Sequence, residues 1–208
     1  IPCKKPTKMS LAFRTALCGL LVAASLSWLG IAAPMEQLPE NILRLHVVAN
    51  SDSEADQALK LKVRDAVLDE AGRWCAGAEN LEDANFLVCT HLEGIKTAAE
   101  ETVKDYGLSD SVKALVTEEY FPTRKYEGFT LPAGRYRALR VVIGEGKGHN
   151  WWCVMFPSLC LPAAGEPSED VLAQLPKSQR QVAENPERYK VGFKLVELYE
   201  ELKDWFRS

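Results

Sequence analysis

An uncharged stretch near the N-terminus divides the chain into two parts with different physical requirements. Residues 15–33 contain no Lys, Arg, Asp or Glu. Four basic residues precede them: Lys4, Lys5, Lys8 and Arg14. Basic residues, then an apolar run, then small residues are typical of a secretory signal peptide. The sequence therefore predicts that residues 1–33 direct export, with Gly30 and Ala32 in the small-residue positions before a cut after Ala32.

The same stretch is also long enough to stay in the membrane as an uncleaved anchor. About 18 apolar residues suffice to cross a hydrocarbon core about 30 Å thick. Burial of the stretch as a helix of a cytosolic protein is a third alternative. We expect the signal to be either cleaved or retained as an anchor, and both outcomes place the rest of the chain outside the exporting cytoplasm.

The rest of the chain is acidic. Four of the 25 Lys and Arg residues precede residue 34, which leaves 21 basic residues against 29 acidic ones, a net charge of −8. A body of this charge is repelled by nucleic-acid phosphates and by anionic lipid headgroups. We therefore expect no nucleic-acid partner, and membrane attachment only through the N-terminal segment.

The sequence after this segment predicts one α+β domain, with a small antiparallel or mixed sheet packed against several helices. Strands are predicted over 42–49, 111–121, 136–143 and 151–156, and the last two are expected to form a β-hairpin around the glycine-rich turn 144–150. Helices are predicted over 57–75, 84–106 and 188–206, and a loop over 126–134. The expected organisation is a linker at 34–41, the domain at 42–162, and a C-terminal linker with an amphipathic helix packing on the domain at 163–208.

Four cysteines in the exported part permit disulfides, because exported proteins meet oxidising conditions. Four cysteines allow three pairings. The local pairing joins Cys153 to Cys160 and Cys75 to Cys89, and it closes the shortest loops. The alternative is four free thiols.

Motifs for cofactors, metals and catalysis do not match this sequence. Residues 52–56 resemble the start of a calcium loop, but Gln57 and Val63 occupy the positions that need Gly and Glu. No spacing fits a zinc site or a phosphate loop, so no cofactor or metal is predicted. Catalysis by an exported hydrolase using Cys153 or a histidine is the alternative function, although no spacing places a base beside the thiol.

Aromatic and arginine residues are concentrated between positions 120 and 156. Trp, Tyr and Arg are enriched at the energetic centres of protein interfaces. The residues predicted to bind a partner are Arg124, Tyr126, Phe129, Arg135, Trp151 and Trp152. Because adjacent residues of a strand face opposite sides, one of the two tryptophans is expected in the core, and the other is expected to be either covered by a helix or exposed for a partner.

Two long stretches resemble the stage II sporulation protein R family of endospore-forming bacteria. They are HVVANSDSEADQALKLKVRDAVL at 46–68 and EYFPTRKYEGFTLPAGRYRALRVVIGEGKGHNWWCVMFPSLC at 119–160. Together they cover about a third of the chain, and the resemblance weakens after Cys160.

The resemblance implies a non-enzymatic signalling protein. Members of the family are exported from the forespore into the space between forespore and mother cell. There they activate a membrane-embedded aspartic protease, the sporulation sigma-factor processing peptidase, which removes the propeptide of pro-sigma-E in the mother cell. The resemblance therefore implies that protease as the partner and the intermembrane space as the location.

Overall fold

The computed structural model describes residues 15, 17–20, 22, 34–35, 37–126, 129–157, 172 and 175–207. Its strands are β1 (Leu43–Val48), β2 (Val112–Phe121), β3 (Arg124–Tyr126), β4 (Phe129–Leu131), β5 (Gly134–Ile143) and β6 (Asn150–Phe156). Its helices are a 3-10 helix (Leu38–Asn41), α1 (Glu54–Cys75), α2 (Leu81–Thr90), α3 (Leu92–Asp105), α4 (Lys177–Glu184) and α5 (Lys190–Arg207). The predicted α+β class and mixed sheet are confirmed.

The four-stranded sheet has the order β2-β5-β1-β6. Strand β1 pairs parallel to β5 and antiparallel to β6, and β2 pairs antiparallel to β5. The predicted hairpin of β5 and β6 is therefore wrong, because β1 lies between them. All six residues of β1 are buried. A strand buried on both sides is favoured in the centre of a sheet, where both of its edges are hydrogen-bonded.

Helix α1 begins at a capped turn and lies on one face of the sheet. The Ser53 side chain accepts a hydrogen bond from the backbone N–H of Asp56 at 3.1 Å, which satisfies an otherwise unpaired donor of the first turn. Buried residues recur every four positions along the helix: Leu59, Val63, Val67 and Ala71. This spacing places them on one stripe that faces the strands.

The helix predicted over 84–106 is two helices, α2 and α3, which meet at His91. The N-terminal cap of α2 is Asn80, whose side chain accepts a hydrogen bond from the backbone N–H of Asp83. At the junction the His91 ring stacks on Trp74 of α1 with 3.6 Å between ring centroids. This contact between two helices is not encoded in the local apolar period, so the break was missed.

The sheet separates two apolar clusters. On one side, β1 and β5 pack against α1, α2 and α3. On the other side, a smaller cluster is formed by Leu38, Ile42, Phe121, Leu131, Tyr136, Ala138, Val154 and Leu175. The first is called the helix side of the sheet below, and the second is called the hairpin side, because β3 and β4 lie there. Residues 126–134 were predicted as a loop, and the short paired strands β3 and β4 occupy part of that range.

The C-terminal helix α5 packs through its first turns only, as far as its described side chains show. Phe193 is buried in a third cluster with Met35 and with Val182 of α4, a helix that the sequence analysis missed. Further along α5, four side chains of its apolar face are 41–57% exposed: Leu195, Leu198, Tyr199 and Leu202.

The predicted signal or anchor falls largely outside the described residues, which include only 15, 17–20 and 22 of its 33 positions. Within the described part of the chain, no helix combines the length and the apolar character that a membrane span needs.

Candidate partner-binding surface

Alternation along β1 determines which side chains reach the hairpin side. Leu43, Leu45 and Val47 belong to the cluster on the helix side. Because successive residues of a strand point to opposite faces, Arg44 and His46 point to the hairpin side. Strand β1 is otherwise apolar, and it thus presents two basic side chains to the hairpin side.

The two tryptophans of β6 lie on opposite faces of the sheet. Trp151 pairs in register with Val47 and packs against the helix-side cluster, and the guanidinium of Arg64 lies 4.4 Å from the centre of its ring. Trp152 pairs with His46 and lies on the hairpin side, with 5.7 Å between the two ring centroids. The period of two predicted this opposition, and the structure shows that Trp152 is the ring on the hairpin side.

Strand β3 brings two further predicted residues to the same side. The guanidinium carbon of Arg124 lies 4.2 Å from the centre of the Trp152 ring, which is a cation–π contact. Tyr126 stacks on Phe129 of β4 with 4.8 Å between the ring centroids and 9° between the ring planes. Trp152, Tyr126 and Phe129 all pack against the cluster on the hairpin side, and together with Arg124 they are called the aromatic patch below.

Arg135 does not join the aromatic patch. It pairs in register with Tyr120, which places its side chain on the helix side of the sheet. There its Nε lies 3.3 Å from a carboxylate oxygen of Glu118, and its Nη2 donates to the Glu118 carbonyl at 3.1 Å. Of the six residues predicted to bind a partner, the structure brings four together and separates Trp151 and Arg135 from them.

A polar network beside the aromatic patch was missed by the sequence analysis. His46 Nδ1 lies 2.8 Å from Glu119 Oε1, and His46 Nε2 lies 2.9 Å from Asn150 Oδ1. Arg140 Nη1 lies 3.3 Å from the second oxygen of Glu119. These residues come from four strands and are far apart in the sequence. The signal that could have found them is a histidine at an alternating position of an apolar strand.

Arg44 is a further residue on the hairpin side that the sequence analysis did not single out, and it is fully buried. Its Nη2 donates a hydrogen bond to the hydroxyl of Tyr126. Its guanidinium carbon lies 4.2 Å from the centre of the Phe121 ring and 5.0 Å from that of Tyr136. Burial, the leading effect, raises the pKa of the Tyr136 phenol, whose hydroxyl donates to the Pro132 carbonyl at 2.7 Å.

The loops 49–53 and 144–149 form a second candidate surface at the end of β1 and β5. Backbone hydrogen bonds join them, from Lys147 N–H to the Asn50 carbonyl and from Gly148 N–H to the Ala49 carbonyl. The side-chain hydrogen bond from His149, helped by its backbone N–H, lowers the pKa of Asp52. His149 is 78% exposed in its side chain, so this surface is polar and open to solvent.

The cysteines within the described residues show no disulfide. Cys75 is buried and Cys89 is exposed, and both are free thiols, so the predicted pairing between them is wrong. Burial raises the pKa of the Cys75 thiol. Cys160 lies outside the described residues, so the pairing of Cys153 with Cys160 stays a prediction.

Histidine, cysteine and acidic side chains do not converge on a metal site in the part of the chain that the structure describes. No group of three or more is placed to hold a metal ion there. Cys153 pairs with Leu45 and is buried on the helix side, whereas His46 faces the hairpin side. These two residues therefore cannot act together as nucleophile and base.

Comparisons with known proteins point to one family. The family model described as Stage II sporulation protein R (spore_II_R) matches residues 39–165. A curated relative, Stage II sporulation protein R of Bacillus subtilis (strain 168), is 40% identical over 123 residues, which cover 59% of this chain and 55% of the relative. The matched part thus spans about half the length of that relative. No solved structure matches the chain.

Proposed function

Because the chain belongs to the stage II sporulation protein R family, we propose that it is an exported signalling protein of sporulation. Its proposed partner is the membrane-embedded aspartic protease that processes pro-sigma-E in the mother cell. It would be exported from the forespore into the intermembrane space and switch on that protease by binding. The charge distribution supports export, since the basic residues of 1–33 precede an uncharged run.

The observation that carries the proposal is the aromatic patch, which lies inside the region matched by the family model. Arg124 is exposed, and it stacks on a half-buried Trp152 ring that also contacts the rings of His46 and Phe121. A rigid aromatic ring with an arginine above it loses little conformational entropy on binding. This combination is typical of residues that contribute most of the energy of an interface.

The geometry favours binding over the alternative, an exported hydrolase using Cys153 or a histidine. Cys153 is only 1% exposed and faces the helices. His149 lies on an exposed loop, where Asp52 holds its ring. A thiol nucleophile needs substrate access and a base within hydrogen-bond reach, and Cys153 lacks access to solvent.

Co-production of the chain with the protease and pro-sigma-E in a non-sporulating host tests the proposal. Pro-sigma-E should be cleaved only when the chain and the protease are both present. Cleavage by the chain without the protease, lost on Cys153→Ser, would establish the hydrolase instead. No cleavage with all three proteins present, with the chain folded and exported, would contradict the proposed signal.

The same assay locates the surface. Trp152→Ala and Arg124→Ala should each weaken activation, because truncation of a central interface residue costs about 2 kcal/mol or more, which is at least a tenfold loss of affinity. Trp74→Ala is the matched control, since this α1 ring is exposed and distant in sequence from the aromatic patch. Equal activation by all three folded variants would move the interface to the loops 49–53 and 144–149.

A further inference from the structure

Arg44 carries donors that the described structure leaves without acceptors. An arginine has five N–H groups and no acceptor of its own. Nη2 donates to the Tyr126 hydroxyl, while Nε and Nη1 are buried without a hydrogen-bond partner. Among the described residues, no carboxylate lies within ion-pair distance of this guanidinium; the Glu119 carboxylate on the hairpin side pairs with His46 and Arg140 instead.

The surroundings of Arg44 offset only part of the cost of burying a cation. Three rings lie around the guanidinium, with centroids 4.2 Å (Phe121), 5.0 Å (Tyr136) and 5.8 Å (Tyr126) from its central carbon. Ring faces attract a cation, but they do not accept the remaining N–H groups as an oxygen does. A buried charge without a counter-charge is costly, and functional sites are where such costs are commonly found.

Tyr126 separates this guanidinium from solvent. Its hydroxyl accepts a hydrogen bond from Arg44, while its ring is partly exposed and stacked on Phe129. Strands β3 and β4 have three residues each and pair with one another, in a sheet of their own. A hairpin of this size is marginally stable by itself, and access of a ligand to Arg44 requires β3 to move.

We propose that Arg44 is a receptor for a carboxylate, that of an aspartate or glutamate side chain in a partner polypeptide, which takes the place of the Tyr126 hydroxyl. Each edge of a guanidinium that can bind both oxygens of a carboxylate includes Nη2, the nitrogen that Tyr126 occupies. When the hydroxyl leaves, Nη2 and one of the two unused nitrogens face the carboxylate in the paired geometry that arginine and carboxylate prefer. This inference goes beyond the proposed function and does not depend on it, because it rests on the contacts of Arg44 and Tyr126 and not on the identity of the protease.

Thermal unfolding of the purified chain with small blocked amino acids tests the inference. N-acetylglutamate amide presents a side-chain carboxylate, N-acetylalanine presents a terminal carboxylate, and N-acetylglutamine amide is the uncharged control, all at matched ionic strength. N-acetylglutamate amide should raise the Tm by about 2 °C or more at saturating concentration. A response to N-acetylalanine alone would overturn the assignment to a side chain, and no response to either carboxylate would overturn the site.

Two variants and a matched control assign the response to Arg44. Arg44→Met should abolish it, whereas Arg73→Met, at an exposed arginine of α1 that pairs with Asp69, should retain it. Tyr126→Phe keeps the ring but removes the competing hydroxyl, so its response should begin at a several-fold lower concentration. Since Tyr126→Phe is expected to fold, an unchanged or absent response in this variant would contradict the proposal even if Arg44→Met fails to fold.

The stability of Arg44→Met in the absence of any carboxylate separates a receptor from a structural arginine. Removing an incompletely paired buried charge in favour of an apolar side chain of similar size is often neutral or stabilising. The variant should therefore unfold at the same Tm as the unsubstituted chain or at a higher one. A folded variant with a clearly lower Tm would show that Arg44 serves the fold and would overturn the receptor.

Discussion

Trp151 and Trp152 are neighbours in the chain but contact different parts of the molecule. Trp151 packs with the helix-side cluster under Arg64, and its indole N–H is buried without an acceptor. Trp152 lies between His46 and Arg124 at the aromatic patch. Substitution of each ring therefore has a different expected consequence.

Trp151→Ala should destabilise the chain by about 2 kcal/mol or more, because it leaves a cavity under α1. Trp152→Ala should cost less stability, yet it should reduce protease activation more than its loss of stability explains. Urea unfolding gives the free energy for both variants, and the co-production assay gives activation. A Trp152→Ala protein that unfolds while Trp151→Ala stays folded would contradict this assignment of the two faces.

The ionisation of Asp52 is expected to make the stability of the folded chain depend on pH. Its folded-state pKa is lowered, chiefly by the hydrogen bond from His149. A carboxyl with a lowered folded pKa contributes stability above its unfolded pKa, near 4, and this contribution is lost as pH falls through the folded value. Asp52→Asn should therefore lower the urea midpoint at pH 7, and the difference from the unsubstituted chain should shrink as the pH falls below about 4.

His149→Ala removes the donor side chain of the same interaction and serves as the companion variant. Its urea midpoint should show the same trend, with a loss at pH 7 that shrinks as the pH falls below about 4. If the urea midpoint of Asp52→Asn at pH 7 equals that of the unsubstituted chain, the ionised form of Asp52 does not stabilise the fold.

At the scale of elements, the two loops at the end of β1 and β5 are held by close backbone approach. Gly144 and Gly146 have positive φ angles of 58° and 64°. A Cβ at Gly148 would lie 2.2 Å from the Ser51 carbonyl oxygen, which belongs to backbone and has little room to move. The glycines of this turn therefore allow the two loops to pack closely against each other, in addition to reversing the chain.

Gly148→Ala should destabilise the chain by about 1–3 kcal/mol, in the range of overpacked sites. Gly72→Ala is the matched control: its Cβ would meet nothing within 4 Å in helix α1. Since alanine favours helix over glycine, this control should stabilise the chain by about 1 kcal/mol. Equal stability of the two variants would contradict the close contact between the loops.

At the scale of the whole molecule, export is the prediction on which the proposed location depends. Residues 1–40 fused to a reporter that needs an oxidising compartment should give activity outside the cytoplasm. Removal of the uncharged run 15–33 from the same fusion is the control and should abolish that activity. Retention of the complete fusion in the cytoplasm would remove the basis of the proposed location.

Exported protein also tests the remaining disulfide. Mass spectrometry without reduction should show a peptide in which Cys153 is linked to Cys160, because the loop between them is short and exported chains fold under oxidising conditions. Cys75 and Cys89 serve as the internal comparison and should be recovered as free thiols, as they are in the described structure. Recovery of Cys153 and Cys160 unlinked from exported material would refute the pairing.

Local pattern alone determined much of this protein. The apolar runs of β1, β5 and β6, the alternation in β2 and the apolar spacing in α1 depend on neighbours in sequence, so these elements and the opposition of Trp151 and Trp152 were predicted correctly. The tertiary structure decided what depends on distant residues. Strand order, the junction of α2 with α3, and the meeting of Arg44 with Tyr126 each join positions far apart in the chain. Burial of β1 on both sides placed it between β5 and β6 and so decided which side chains form the aromatic patch.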